Sequence, residues 1–167
     1  MARIWTFGQD VDTDQILPGR CAPYMTSEAE LPNFAFVDAR PEFAGEVADG
    51  DVLVAGPNFG CGSSREYAAS ALAQSGLGAI LAPSFARIFF RNATNLGLPL
   101  ITMEASDLAP FSDGDEVELD LAGGRLVHAG GELRLPAPSA FARDLWSAGG
   151  LVSFYRETGR FPGEVVR

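Results

Sequence analysis

The sequence predicts an α/β fold in which a parallel sheet is joined to a smaller antiparallel one, and three observations carry that reading. Strand-sized apolar runs, "DVLVAG", "AILAP" and "LPLITM", alternate with two helical stretches between residues 51 and 103. Strand, helix, strand, helix, strand is the pattern of parallel βαβ crossovers, which are right-handed. Beyond residue 115, "DEVELDL", "RLVHAGG" and "ELRL" are separated by glycine pairs, as antiparallel strands joined by tight turns are. A chain of 167 residues with 47% hydrophobic content fills one well-packed core rather than two, so residues 1–167 are expected to form a single domain.

In chain order, alternation in "ARIWTF" predicts a first strand, and "GQDVDTDQILPGR" after it is a structured acidic loop broken by Pro18-Gly19. Residues 21–50, with prolines and glycines among scattered aromatics, carry no periodicity that assigns an element. "DVLVAG" is a buried strand, a helix is expected from Ser64 to Ser75, and Gly76-Leu77-Gly78 closes it. After "AILAP", Ser84 is positioned to cap the helix of "FARIFFRNATNLG", which ends at Gly97 before "LPLITM". The antiparallel strands follow, and then two helical stretches, "SAFARDLWSAG" and "LVSFYRETG".

Charge excludes some partners. Acids outnumber bases 22 to 12, the bases are all arginine, and the net charge of −10 repels phosphate backbones and anionic membrane surfaces. Neither nucleic acid nor a membrane is an expected partner, and an anionic ligand would have to be held by local groups. No apolar stretch reaches the ~20 residues of a spanning helix. The start "MARIWTFGQD" has no signal-peptide core, so a cytoplasmic location is expected. Cys21 and Cys61 form no CxxC or Cys/His cluster, so no metal site is expected on this chain.

The densest chemistry lies in "NFGCGSSREY", between a strand and a helix. Gly60 and Gly62 allow backbone angles and close approaches denied to other residues, a helix N-terminus attracts anions, and Arg65 offers a planar fork for a carboxylate. The same letters also spell a capping box, in which Ser63 closes the helix and Glu66 returns the bond. The motif lacks the GK[ST] of a phosphate loop and the spacing of a dinucleotide fingerprint. His128, the one histidine, falls in a polar hairpin, which disfavours a Ser-His-Asp hydrolase. Asp10, Asp12, Thr13 and Asp14 form a second constellation, without the glycine and glutamate of a calcium loop.

"DVDTDQILPGR", then "GPNFGCGSSREYA", then "ARIFFRNATNLGLPLI" resemble, in order and over nearly the whole chain, the small subunits of the 3-isopropylmalate dehydratase and homoaconitase family. Those subunits correspond to the swivel domain of aconitase. The resemblance implies a three-layer β/β/α swivelling fold and a chain that is half of a hydro-lyase. Its partner would be a large subunit bearing a [4Fe-4S] cluster, so that this chain binds no cofactor itself. The substrate would be a small di- or tricarboxylate.

By motif, Ser63 matches the base that removes a proton next to a carboxylate, Ser64 a substrate-contacting hydroxyl, and Arg65 the carboxylate-binding arginine. Thr13 and Asp14 match the pair lining the same site. Tyr67 stands where many members have His, and the loop after Arg20 reads "CAPYM" where the family often continues Tyr-Leu. That loop separates substrate side groups in the family, and Arg20 is a candidate reader of an extra carboxylate. "PGRCAPYM", "SSREYA" and "GRFPGE" look closest to bacterial homoaconitase small subunits of lysine biosynthesis. The leucine-pathway 3-isopropylmalate dehydratase is the alternative, and a stand-alone anion-binding domain a more remote one.

Overall fold

The computed structural model describes residues 1–23 and 27–164. Its elements are β1 (Ala2–Phe7), α1 (Thr13–Ile16), α2 (Phe43–Glu46), β2 (Val52–Ala55), α3 (Tyr67–Gln74), β3 (Ala79–Ala82), α4 (Arg87–Asn95), β4 (Leu100–Thr102), α5 (Ala105–Leu108), β5 (Glu116–Asp120), β6 (Arg125–His128), β7 (Gly131–Arg134), α6 (Ala140–Ala148) and α7 (Leu151–Thr158). Short 3-10 stretches lie at Gly19–Cys21 and Glu28–Phe34; the second of these and α2 fall within residues 21–50, which periodicity left unassigned. Pro32 inside the second of these explains why no 3.6-residue pattern was legible there.

The strands run in the order β4-β3-β2-β1-β5-β6-β7. β1 to β4 are parallel neighbours, and β1 also pairs antiparallel with β5, so β1 joins a parallel part to an antiparallel part. β5, β6 and β7 continue as a meander.

Period-two alternation sends each parallel strand into two different cores. Trp5, Leu53, Ala55, Ile80 and Ala82 join the core beneath α3 and α4, with Leu72 and Phe89 from those helices. Ile4, Val52, Val54, Ala79 and Leu81 join the other, with Val117, Leu126 and Leu135 from the antiparallel part. The parallel sheet is thus the middle layer between helices and the antiparallel sheet. Burying both faces accounts for strands that read as continuous apolar runs.

Asp51 fixes the central strands. It is 3% exposed and accepts from the β1 amide of Arg3 at 2.8 Å, from Trp5 Nε1 at 2.9 Å and from the amide of Ala48 at 3.0 Å. Aromatic rings pack around Trp5: Phe43 lies edge-on at 4.8 Å, and Phe7 stacks on Phe36 at 4.1 Å.

Three local expectations are corrected. α3 begins at Tyr67 rather than Ser64, with Glu66 at its N-cap and no side-chain capping bond. Ser84 does not cap α4, whose N-cap is Ala86; the Ser84 hydroxyl accepts instead from the amide of Asn58 at 2.8 Å. "LPLITM" contributes only Leu100–Thr102 to the sheet. At Ser63 and Ser84 the hydroxyl that the local pattern assigned to a helix end is taken by another partner, Arg65 and Asn58 respectively. Among the described residues no helix is long and apolar enough to cross a membrane.

Candidate active site

The loops after β1 and β2 lie side by side because their strands are parallel neighbours. Between them runs a short backbone ladder: Asp10 N–H to Pro57 at 2.9 Å, Gly60 N–H to Val11 at 2.8 Å and Thr13 N–H to Cys61 at 2.8 Å. Asp10 and Asn58 both take left-handed backbone angles, which their short polar side chains tolerate, and Asn58 Nδ2 donates to Asp10 Oδ1 at 2.8 Å. The acidic constellation therefore meets the glycine loop.

Within this frame Asp12 caps α1, accepting from the Gln15 amide at 2.7 Å while the Gln15 side chain accepts from the Asp12 amide at 2.9 Å. Thr13, 4% exposed, turns its hydroxyl across to the second loop, where Oγ1 accepts the backbone N–H of Ser63 at 2.9 Å. Gly62, with φ +98°, is required at this crossing, because a Cβ there would lie 3.1 Å from Thr13 Oγ1. Gly60, with φ +78°, packs against Phe89 of α4, leaving no room for a Cβ.

Ser63 caps no helix. Its Oγ accepts from Arg65 Nε at 3.0 Å, and more distantly from the Arg65 amide at 3.4 Å. The capping-box reading of Ser63 and Glu66 is therefore corrected: the serine oxygen points to a guanidinium, and the helix starts after it. Arg65 lies 3.9 Å from Asp14 Oδ1, with both side chains largely in solvent, so that pair is weak. The Arg65 guanidinium also packs on Gly19, where a Cβ would stand 2.9 Å from Nη1.

The structure thus places Thr13, Asp14, Ser63 and Arg65 in one cluster. Ser64 is exposed next to it. Arg20, on the Gly19–Cys21 turn, directs both arms of its fork to Asp38, at 2.7 and 2.5 Å. That contact raises the arginine and lowers the aspartate from their ordinary pKa ranges. Of the loop from Arg20 to Met25, Tyr24 and Met25 lie outside the described residues. Tyr67 opens α3 and, with Thr13, Asp14, Leu17, Gly19 and Arg65, lines a small recess.

On the other side of Ser63 lies an open cleft of about 440 Å³, lined by Gly60, Gly62, Ser63, Arg87, Ile88 and Arg91. Sequence reasoning had not singled out Arg87 and Arg91. The available signal was two arginines one helical turn apart in the otherwise apolar "FARIFFRN". Burial holds the Cys61 thiol above its ordinary pKa, with the nearby charges of Asp12 and Asp10 adding to the effect. His128 is on β6, in the antiparallel part, with the Phe111 ring 4.8 Å away. Among the described residues no three His, Cys, Asp or Glu side chains converge to hold a metal ion.

Residues 11–106 match the aconitase C-terminal domain. The chain is 50% identical over 164 residues to the 3-isopropylmalate dehydratase small subunit 1 of Deinococcus radiodurans, covering 98% of this chain and 92% of that one. It is 49% identical over 165 residues to the homoaconitase small subunit of Thermus thermophilus, covering 98% and 100%. The crystal structure of 3-isopropylmalate dehydratase from Methanocaldococcus jannaschii superposes with a TM-score of 0.82 at 41% identity, over 95% of this chain and 93% of that one. The three layers, the meeting of the two loops and near-full-length similarity lead to one conclusion: the chain belongs to the aconitase C-terminal domain family, among the small subunits of the 3-isopropylmalate dehydratase and homoaconitase hydro-lyases.

Proposed function

We propose that this chain supplies the base and a carboxylate clamp to a heteromeric hydro-lyase that isomerises a 2-hydroxy acid by dehydration and rehydration. One observation carries the reading: Arg65 Nε donates to Ser63 Oγ at 3.0 Å. A serine hydroxyl is far too weak an acid to be ionised near neutral pH by itself. A guanidinium in direct contact favours its alkoxide, and exclusion of water by a covering subunit strengthens that effect.

As the base, Ser63 Oγ takes the proton from the carbon beside a carboxylate. The electron pair left behind forms the double bond as hydroxide leaves the neighbouring carbon, and re-addition of water in the opposite sense completes the isomerisation. Thr13 holds the Ser63 amide, which fixes where Oγ stands. Arg65, with 45% of its side chain exposed, keeps an open edge for a substrate carboxylate, and Ser64 and Asp14 lie exposed beside it. Arg20 is part of the proposed substrate-binding set through its position next to Gly19.

The partner in this reading is a large subunit carrying a [4Fe-4S] cluster, which when bound supplies Lewis acidity for the departing hydroxide. The relatives' names "small subunit" support such a partner. A cytoplasmic location goes with the reading. Between the relatives' two substrates we favour cis-homoaconitate, in lysine biosynthesis, because the cleft beside Ser63 is walled by cations as well as by Ile88.

The test is anaerobic reconstitution with a cluster-bearing large subunit, followed by parallel hydration assays of cis-homoaconitate and 2-isopropylmaleate. Turnover by the pair and not by this chain alone is expected, with the first substrate preferred. Preference for the second would move the chain to leucine biosynthesis. Turnover of neither would leave only anion binding.

A further inference from the structure

Among the described residues, ion pairs hold Arg3, Arg20, Arg40, Arg65, Arg125 and Arg134. Among the described residues Arg87 and Arg91, like Arg143, Arg156 and Arg160, have no such partner, although the chain carries a net charge of −10. Both are exposed, and they stand one turn apart on α4, where they line the same cleft as Ser63. Arg87 is also the first residue of its helix, where a cation gains nothing from the helix dipole. What sets Arg87 and Arg91 apart from the other unpaired arginines is the cleft that they share with Ser63.

Their position relative to Ser63 is fixed by backbone. The amide of Phe59 donates to Ser84 at 3.1 Å and that of Ala86 to Phe59 at 2.9 Å, so the entry to α4 is laced to the strand end that leads into the glycine loop. Gly60 rests on Phe89 in the first turn of α4. Ser63 Oγ therefore has one guanidinium in contact on one side, Arg65, and two unpaired ones across an open cleft on the other.

We infer that Arg87 and Arg91 form a second carboxylate subsite, which reads the distal carboxylate of a tricarboxylate whose reacting end is held at Arg65. The inference rests on the proposed role of Ser63 and adds α4 to the substrate-binding set beside Arg20, whose fork meets Asp38. A substrate spanning the cleft in this way lays its central carbons over Ser63. The cleft's 440 Å³ is in the range of small-ligand sites. An arginine fork is the side chain suited to a carboxylate.

The experiment uses the reconstituted two-subunit enzyme with Arg87→Gln, Arg91→Gln and the double substitution. For the double variant, KM for cis-homoaconitate should rise about 10- to 100-fold, the loss expected for one or two charged hydrogen bonds. KM for 2-isopropylmaleate and both kcat values should stay within about threefold of the unaltered enzyme. Calorimetric titration of tricarballylate into the complex should weaken by the same factor as the first KM. Equal losses on both substrates, no loss on either, or failure of the double variant to co-elute with the large subunit would overturn the subsite; the last outcome would make the arginines a subunit contact. Ser63→Ala, assayed in parallel, separates the two readings. Full turnover in that variant removes the base, whereas tricarballylate binding reports on the arginines regardless.

Discussion

Thr13 Oγ1 accepts the backbone N–H of Ser63 at 2.9 Å, across fifty positions of chain. The bond joins the two loops whose residues make up the site, and it uses the amide of the residue proposed as the base. Thr13→Val keeps the shape and removes the acceptor, leaving a part-buried N–H unpaired at a cost of about 1 to 3 kcal/mol. A displacement of Ser63 by a fraction of an ångström is expected to lower kcat by roughly 10- to 100-fold with little change in KM. Steady-state kinetics of the two-subunit enzyme, beside a thermal melt, would show it. An unchanged kcat would mean that the loop holds Ser63 without Thr13.

Ser63→Ala should lower turnover by about 10² to 10⁴, the range for loss of a general base. The sequence alone suggested an additional cost of about 1 kcal/mol for a lost helix cap. The structure removes that cost, because α3 starts at Tyr67 and Ser63 Oγ bonds Arg65 instead. Denaturant unfolding of the variant should therefore match the unaltered chain within about 0.5 kcal/mol. Near-normal activity would end the assignment of Ser63 as base.

How much of this was legible from the residues follows from which interactions set each feature. The parallel strands could be read because they are buried on both faces: Ile4, Val52 and Leu81 face one core, Trp5, Leu53 and Ile80 the other. The start of α3 could not, since "SSRE" satisfies the capping pattern, whereas in the fold Thr13 takes the Ser63 amide and the Arg65 side chain turns back onto Ser63 Oγ. Ser84 misled for the same reason, its hydroxyl being drawn to Asn58. The meeting of Thr13 with Ser63 depends on β1 and β2 being neighbours, which periodicity does not encode; the family resemblance supplied that expectation. Arg87 and Arg91 were passed over because arginines on a helix ordinarily cover a solvated face.

Gly60 has a positional requirement that can be tested apart from catalysis. Its φ is +78°, and a Cβ there would collide with the Phe89 ring. Gly60→Ala combines a disfavoured backbone angle with a collision in a packed core, an expected loss of roughly 3 kcal/mol or more. Phe89→Ala on that background should recover part of the collision term and none of the backbone term, at its own cost in core packing. Urea unfolding of single and double variants resolves the two. Additive losses would show that Phe89 is not what excludes the side chain.

The acid limit of stability should run through Arg40 and Asp113. Arg40 Nη1 and Nη2 donate to the Asp113 carboxylate at 3.0 and 3.1 Å, and Asp113 Oδ1 also accepts the amide of Thr6 at 2.8 Å. These bonds, the arginine's first, hold the Asp113 carboxyl below the ordinary aspartate range, and the same contact raises Arg40. A lowered folded pKa gives stability that is present above the unfolded aspartate value of about 4 and is lost as pH falls through the folded value. Asp113→Asn should flatten the fall of melting temperature below about pH 4 and lower the plateau at neutral pH. If the acid slope persisted unchanged, other carboxylates would set the limit.

Cys61 offers the opposite sign. Its thiol lies between the two loops with Sγ 3.5 Å from the carbonyl oxygen of Asp10, and burial, then Asp12 and Asp10, push it above the ordinary thiol range. The thiolate is the nucleophile, so iodoacetamide should modify Cys61 more slowly near pH 8 than an unstructured cysteine peptide, with the rate rising only beyond the usual midpoint of about 8.5. Linkage follows: with the folded pKa raised, the contribution to stability is complete below the unfolded thiol value and is lost as pH climbs through the folded one. Asp10→Asn keeps a residue that tolerates the left-handed backbone and removes one negative neighbour, so its rate profile should move to lower pH while staying above the peptide's, since burial is the larger cause. Mass-spectrometric rates across pH 7 to 10 would resolve both shifts. A profile matching the peptide's would mean that burial and the two aspartates do not hold the thiol above its ordinary range.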